Sequence, residues 1–145
     1  MEKVPQAGFS IKGLDVIGFN RTSMLKNLSL PIKLLKSFYQ AYQLLKAHRP
    51  QVVVGVGGYA SGPTLYMAHW LNIPTLIQEQ NSYAGKTNKL LGKKAKKICV
   101  AYEGMDRFFA KDKIVFTGNP VRKDLMNLST KRAEAAQHFA LDPLL

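Results

Sequence analysis

The 145-residue chain contains one cysteine, Cys99, and one tryptophan, Trp70. A single thiol excludes an internal disulfide framework and a zinc site built on cysteines. Acidic residues are scarce: 9 Asp+Glu stand against 21 Lys+Arg, a formal net charge of +12. No apolar run approaches the roughly 20 residues that a membrane-spanning helix needs. Residues 1–5 (MEKVP) lack the apolar stretch of a secretory signal, so a reduced, cytosolic compartment is the default expectation. Apolar content is not among the deficits. With 46% hydrophobic and 21% charged residues the chain has the composition of a folded domain, with material for one core and not for two. The charge predicts an anionic partner: nucleic acid, an acidic membrane surface or a phosphorylated substrate.

No internal repeat or low-complexity tract interrupts the chain. Residues 10–19 (SIKGLDVIGF) alternate enough for a short strand, and 20–28 read as a polar connection. Ser29 is placed to cap a helix that carries Pro31 in its first turn. Ile32, Leu35, Phe38, Tyr39, Tyr42 and Leu45 then recur at helical spacing as far as His48. After Arg49-Pro50, QVVVGV (51–56) is a β-branched run typical of a strand buried on both faces. A glycine-rich turn leads to a helix over 64–71, and TLIQ (75–78) predicts the next strand. A helix over 86–96, a strand over 98–101, a short helix near 104–110, a strand over 114–117 and a helical tail from Ser129 complete the pattern. Strands alternating with helices through short Gly- and Pro-marked loops imply an α/β fold with a parallel sheet. Ligands of such sheets bind beyond the C-terminal ends of the strands. The loops after Val56, Gln78 and Thr117 should therefore share one rim.

The first of these loops is Gly55-Val56-Gly57-Gly58-Tyr59-Ala60-Ser61-Gly62-Pro63. Its glycines permit positive φ and close backbone approach. The helix that follows offers N–H groups and a partial positive charge to a phosphate, to which Ser61 adds a hydroxyl. Gly55-x-Gly57-x-x-Ala60, with Glu79 about 20 residues later, also matches a dinucleotide fingerprint, so a dinucleotide-dependent oxidoreductase is the alternative. A tight turn that uses glycine only for packing is the third reading. The second loop, Glu79-Gln80-Asn81-Ser82-Tyr83-Ala84-Gly85 with Asn88 beyond it, gathers groups suited to a sugar or nucleotide. Asn81 or Ser82 would equally cap a helix at Lys86. The third, Thr117-Gly118-Asn119-Pro120-Val121-Arg122, ends in a fork-shaped donor suited to phosphate, or to a surface ion pair.

Lys86, Lys89, Lys93 and Lys97 follow helical spacing and form a basic stripe flanked by Lys94 and Lys96. It lacks interleaved aromatics and any nucleic-acid motif, so no nucleic-acid partner is expected. The helix over 31–48 sets Lys33, Lys36 and Lys46 beside Leu35 and Phe38, and Trp70 ends the helix after the glycine loop. That composition fits an interfacial membrane surface, or an amphipathic helix turned toward a core. His48, His69 and His138 have no ligand-spaced partners, and no metal or other cofactor is predicted.

Taken together, GVGGYASGP, IPTLIQEQNSYAGKTNKLL and FTGNPVR, at these intervals, resemble the MurG family of bacterial peptidoglycan glycosyltransferases, over about residues 1–122. The resemblance implies an enzyme of the GT-B fold, with two Rossmann-like domains and a cleft between them. Such an enzyme moves N-acetylglucosamine from UDP-N-acetylglucosamine to undecaprenyl-pyrophosphoryl-N-acetylmuramoyl-pentapeptide (lipid I), giving lipid II. By this resemblance Asn81 and Arg122 match UDP-sugar contacts, Gly57, Gly58, Tyr59 and Ser61 face the acceptor's diphosphate, and Glu79, Gln80 and Asn88 line the acceptor side. Glu79 is the one carboxylate of the three loops and so a candidate base. Ile32, Leu35, Phe38 and Trp70 match an apolar membrane patch rimmed by Lys33 and Lys36, implying a peripheral place on the cytoplasmic face of the inner membrane.

The family's opening GGTGGH-type loop, whose histidine is an equal candidate base, has no counterpart here. Nor has its second domain. The resemblance therefore implies a partial N-terminal domain over residues 1–128 and a lead-in to the second domain over 129–145. Such a piece is expected not to turn over by itself and to self-associate through an open sheet edge.

Overall fold

A computed structural model describes residues 2–16, 30–121 and 132–140. Its centre is a parallel sheet of β1 (Val53–Gly55), β2 (Thr75–Glu79), β3 (Lys97–Val100) and β4 (Ile114–Phe116). The strands pair in chain order, β1-β2-β3-β4. Helix α3 (Ser61–Trp70) joins β1 to β2, α4 (Lys86–Gly92) joins β2 to β3, and two 3₁₀ turns join β3 to β4. Before the sheet lie a single helical turn, α1 (Lys3–Gln6), and the long α2 (Leu30–His48); α5 (Arg132–His138) follows it. This is the Rossmann-like α/β arrangement that the alternating pattern predicts.

One register row runs Gly55, Ile77, Ile98, Ile114 across all four strands. On that face Ile77 and Ile98 join Leu65, Leu91, Ala95, Met105 and Phe109 in the core. Gly55 is the point of closest approach: a Cβ there would overlap the Leu65 side chain. Its lack of a side chain seats α3 against β1. Helix α2 packs on α3 through a line of small or compact residues, Ser37, Ala41 and Leu45, spaced one turn apart. Flanking that line, Phe38 meets Tyr66 and Tyr42 meets Trp70, with centroids 5.2 and 5.8 Å apart.

Several local expectations give way. Residues 10–16 are irregular rather than extended in a sheet, because no strand among the described residues lies beside them; Phe9 and Ile11 are exposed. β1 is not buried on both faces. Among the described residues it lies at the sheet's edge with α3 against one side, and Val54 is 54% exposed. Helix α4 stops at Gly92, whose Cα faces the Phe109 ring too closely for a side chain. The lysine stripe ends there: Lys97 opens β3 and its ammonium donates to the Asp112 carbonyl, 3.0 Å away. The expected helix near 104–110 shrinks to a 3₁₀ turn, Met105–Arg107, entered through Gly104 at φ +71°. The cap expected at Ser29 and the connection over 20–28 lie outside the described residues.

Replacing Gly55 by Ala should destabilise the chain by about 1–3 kcal/mol, the usual cost of overpacking a core. Denaturant unfolding checks this, and adding Leu65→Ala should make the Gly55 substitution less costly than it is alone.

His69, in the last turn of α3, sets its Nε2 2.7 Å from the Thr75 hydroxyl at the start of β2. Burial holds its pKa below the ordinary 6.5, and Lys94 and Lys113 push the same way. The fold thus favours neutral imidazole. As pH falls below about 6.5 the unfolded chain takes up a proton that the folded chain refuses, so stability declines. His69→Gln should flatten this part of the pH–stability curve, read from thermal unfolding at pH 5 to 8.

Candidate functional site

At the C-terminal ends of β1 and β2 the chain forms an open cavity of about 300 Å³. One wall is the glycine loop, with Gly57, Gly58 and Tyr59; the other runs through Gln78–Asn81 and Gly85–Asn88. Gly57 and Gly58 have φ of +88° and +78°, and nothing crowds the space their side chains would fill. Their glycines serve the turn, whereas Gly55 serves packing. The Ser61 hydroxyl donates back to the Gly57 carbonyl, so it braces the loop and does not stand among the cavity's lining residues. No side chain caps the N-terminus of α3.

The second wall is organised from within. Glu79 ends β2 with 2% exposure. Its Oε1 accepts from the backbone N–H and the Nδ2 of Asn81, both at 3.1 Å. Its Oε2 accepts from the Gly85 N–H at 3.1 Å and Asn88 Nδ2 at 2.9 Å. Burial alone would raise the carboxyl's pKa; the hydrogen bonds from Asn88, Asn81 and Gly85 outweigh it and hold the group below its ordinary value. Neither Asn81 nor Ser82 caps α4. The cap position is Gly85, which has no side-chain bond. A ribose-binding role for Glu79, which the dinucleotide alternative requires, has no support in this geometry, since the carboxylate is turned into its own loop.

The third loop is latched onto the second. Gln78 Nε2 donates to the Gly118 carbonyl at 3.1 Å, and Asn119 Nδ2 donates to the Gln80 carbonyl at 3.2 Å. Sequence reasoning passed over Gln78 and Asn119. The available signal was a long amide placed inside an otherwise apolar strand. Lys86 and Thr87 also line the cavity, where the sequence offered Lys86 only as part of a stripe. On the loop's outer side Lys89 Nζ lies 4.0 Å from the Tyr83 ring centroid and 4.2 Å from that of Phe108, and Arg107 donates to the Ser82 carbonyl at 2.8 Å. Arg122 lies outside the described residues. The structure thus brings Gly57, Gly58, Tyr59, Glu79, Gln80, Asn81 and Asn88 to one cavity, and leaves Ser61 behind it.

A separate groove of about 520 Å³ between α2 and α3 is lined by Phe38, Tyr39, Tyr42, Tyr66, Met67 and Trp70. Ile32, Leu35 and Trp70 are strongly exposed, while Phe38 is half-buried. Lys36 is paired with Asp15 at 2.6 Å, which offsets part of the rim's charge. Among the described residues no group of His, Cys, Asp or Glu is arranged to hold a metal, and no helix is long and apolar enough to cross a membrane.

Residues 1–100 match the N-terminal domain of glycosyltransferase family 28. The chain belongs to this family. A protein of Phocaeicola vulgatus named UDP-N-acetylglucosamine–N-acetylmuramyl-(pentapeptide) pyrophosphoryl-undecaprenol N-acetylglucosamine transferase is 62% identical to this chain over 143 residues. Those residues are 99% of this chain and 38% of the relative. A protein of the same name from Parabacteroides distasonis is 57% identical, over 99% of this chain and 39% of its own length. The crystal structure of Acinetobacter baumannii MurG superposes with a TM-score of 0.66 at 33% identity, covering 82% of this chain and 34% of that one. A glycosyltransferase structure from Rickettsia africae, 14% identical with a TM-score of 0.56 over 87% of this chain and 35% of that one, shares the fold. This family 28 chain therefore spans somewhat over a third of the length of the relatives it matches.

Proposed function

We propose that the chain is the acceptor-side portion of an N-acetylglucosaminyltransferase that acts on UDP-N-acetylglucosamine and lipid I. The observation that carries this reading is the meeting of the glycine loop and the Glu79 loop around one cavity, at the strand ends where α/β sheets bind ligands. Gly57 and Gly58, with the N-terminus of α3 behind them, suit the acceptor's diphosphate: backbone N–H groups and the helix dipole both favour an anion there. Gln80 and Asn88 belong to the acceptor wall, and Asn81, with Arg122 beyond it, to contacts with the UDP-sugar. In the reaction an acceptor hydroxyl oxygen bonds to the anomeric carbon while the bond from that carbon to UDP breaks. The hydroxyl proton passes to a base and UDP departs with its charge held by donors. Residues 1–128 form part of an N-terminal domain in this reading, with 129–145 leading away from it.

Seating this chain in place of the matching stretch of the Phocaeicola vulgatus transferase tests the proposal. The chimaera should transfer N-acetylglucosamine to a lipid I analogue, and Gly58→Val should lower kcat/KM about 100-fold by displacing the loop. A folded chimaera without turnover would refute it. The 145-residue chain alone should give none.

The same reading places the protein peripherally on the cytoplasmic membrane face, with an anionic lipid surface against Ile32, Leu35, Phe38 and Trp70 and with Lys33 and Lys36 at the rim. The support is an exposed apolar surface beside lysines on α2 and α3. Co-sedimentation with anionic vesicles should weaken about tenfold for Leu35→Glu or Trp70→Glu, both at exposed positions where charge leaves the core intact. Equal binding by wild type and variants would remove the patch from the proposal.

A further inference from the structure

We infer that Glu79 is a positioning residue that folds the acceptor wall, and that the proton of the reaction goes to another group. The inference rests on the transferase reading above and concerns the division of labour within it. An ionised carboxylate has two oxygens and about four lone-pair sites. At Glu79 all four are taken: two by Asn81, one by Gly85 and one by Asn88. A general base must keep one lone pair aimed at the hydroxyl it deprotonates, within hydrogen-bond reach. Glu79 has none left over.

The saturation has a use. The four donors come from residues 81, 85 and 88, so one buried anion fixes both the turn after β2 and the entry to α4. Asn88 gives its amide N–H to Glu79, which sets the orientation of its carboxamide at the cavity wall. The neighbours on either side extend the same anchor. Gln78 and Gln80 hold Gly118 and Asn119 of the third loop, so three consecutive residues at the end of β2 place two loops of the rim. A substitution at 79 should thus disturb positions that never contact it.

The test uses the chimaera described above. In Glu79→Gln one oxygen becomes a donor facing donors, and about half of the anchor is lost. The expected result is a fall in kcat of about 100-fold with the shape and midpoint of the pH–rate profile unchanged. The swapped pair Glu79→Gln/Asn88→Asp, which restores an amide-to-carboxylate contact in reverse, should recover at least about tenfold. Loss or displacement of the basic limb's partner on the acid side in Glu79→Gln, with no recovery in the swapped pair, would make Glu79 the base and overturn the inference. An inactive parent chimaera would instead count against the transferase reading. A measurement without substitution covers the case of a variant that does not fold. In the 145-residue chain the Asn88 side-chain amide resonances should follow a carboxylate titrating below its ordinary 4.5. An inflection near pH 6 or above, where a working base would titrate, would overturn it.

Discussion

A carboxylate withdrawn from water must have its charge met by donors, or it does not stay charged. At the end of β2 that requirement shapes one wall of the cavity. Glu79 draws in the backbone of Asn81 and Gly85 and the side chain of Asn88, and the loop has little freedom left once those contacts form. The wall so built does not depend on bulky packing. It depends on amides, which are short enough to reach the anion and still leave polar atoms for a ligand. The opposite wall is built on another principle. There the backbone itself takes conformations that only glycine adopts without strain, at Gly57 and Gly58, and one hydroxyl from Ser61 ties the turn to the helix behind it.

The sheet holds these two walls at a common height. Gly55 lets α3 lie against β1, and the row from Gly55 to Ile114 packs beneath the helices. The opposite face of β1 is a different environment, with Val54 open to solvent. Above the sheet the rim loops are held by their own hydrogen bonds.

Much of this was legible in the residues. The spacing of Leu35, Phe38, Tyr42 and Leu45 marks α2, and the β-branched and apolar runs before glycine or polar turns mark β1 to β4. That three loops share a rim follows from parallel strand topology alone. What stayed hidden has physical reasons. Periodicity reports which positions are apolar but not what lies against them, so Val54 and the segment around Ile11 read as strand interior. The ring that crowds Gly92 at the end of α4 belongs to Phe109, which is distant in sequence. The latches from Gln78 to Gly118 and from Asn119 to Gln80 join residues about 40 positions apart, and no local pattern encodes them. Glu79 was legible as a carboxylate in a candidate site. That its lone pairs are consumed by its own loop is a matter of three-dimensional closure.

The strand order carries one more consequence. Because β1, β2, β3 and β4 are neighbours in space in the order in which they occur along the chain, no pairing in the described sheet waits for a remote segment. Each strand can dock on its predecessor as soon as the intervening helix or turn has formed, at a modest cost in loop closure for a parallel sheet. Such a sheet can grow in one direction as the polypeptide leaves the ribosome, with the rim loops ordered one after another behind it.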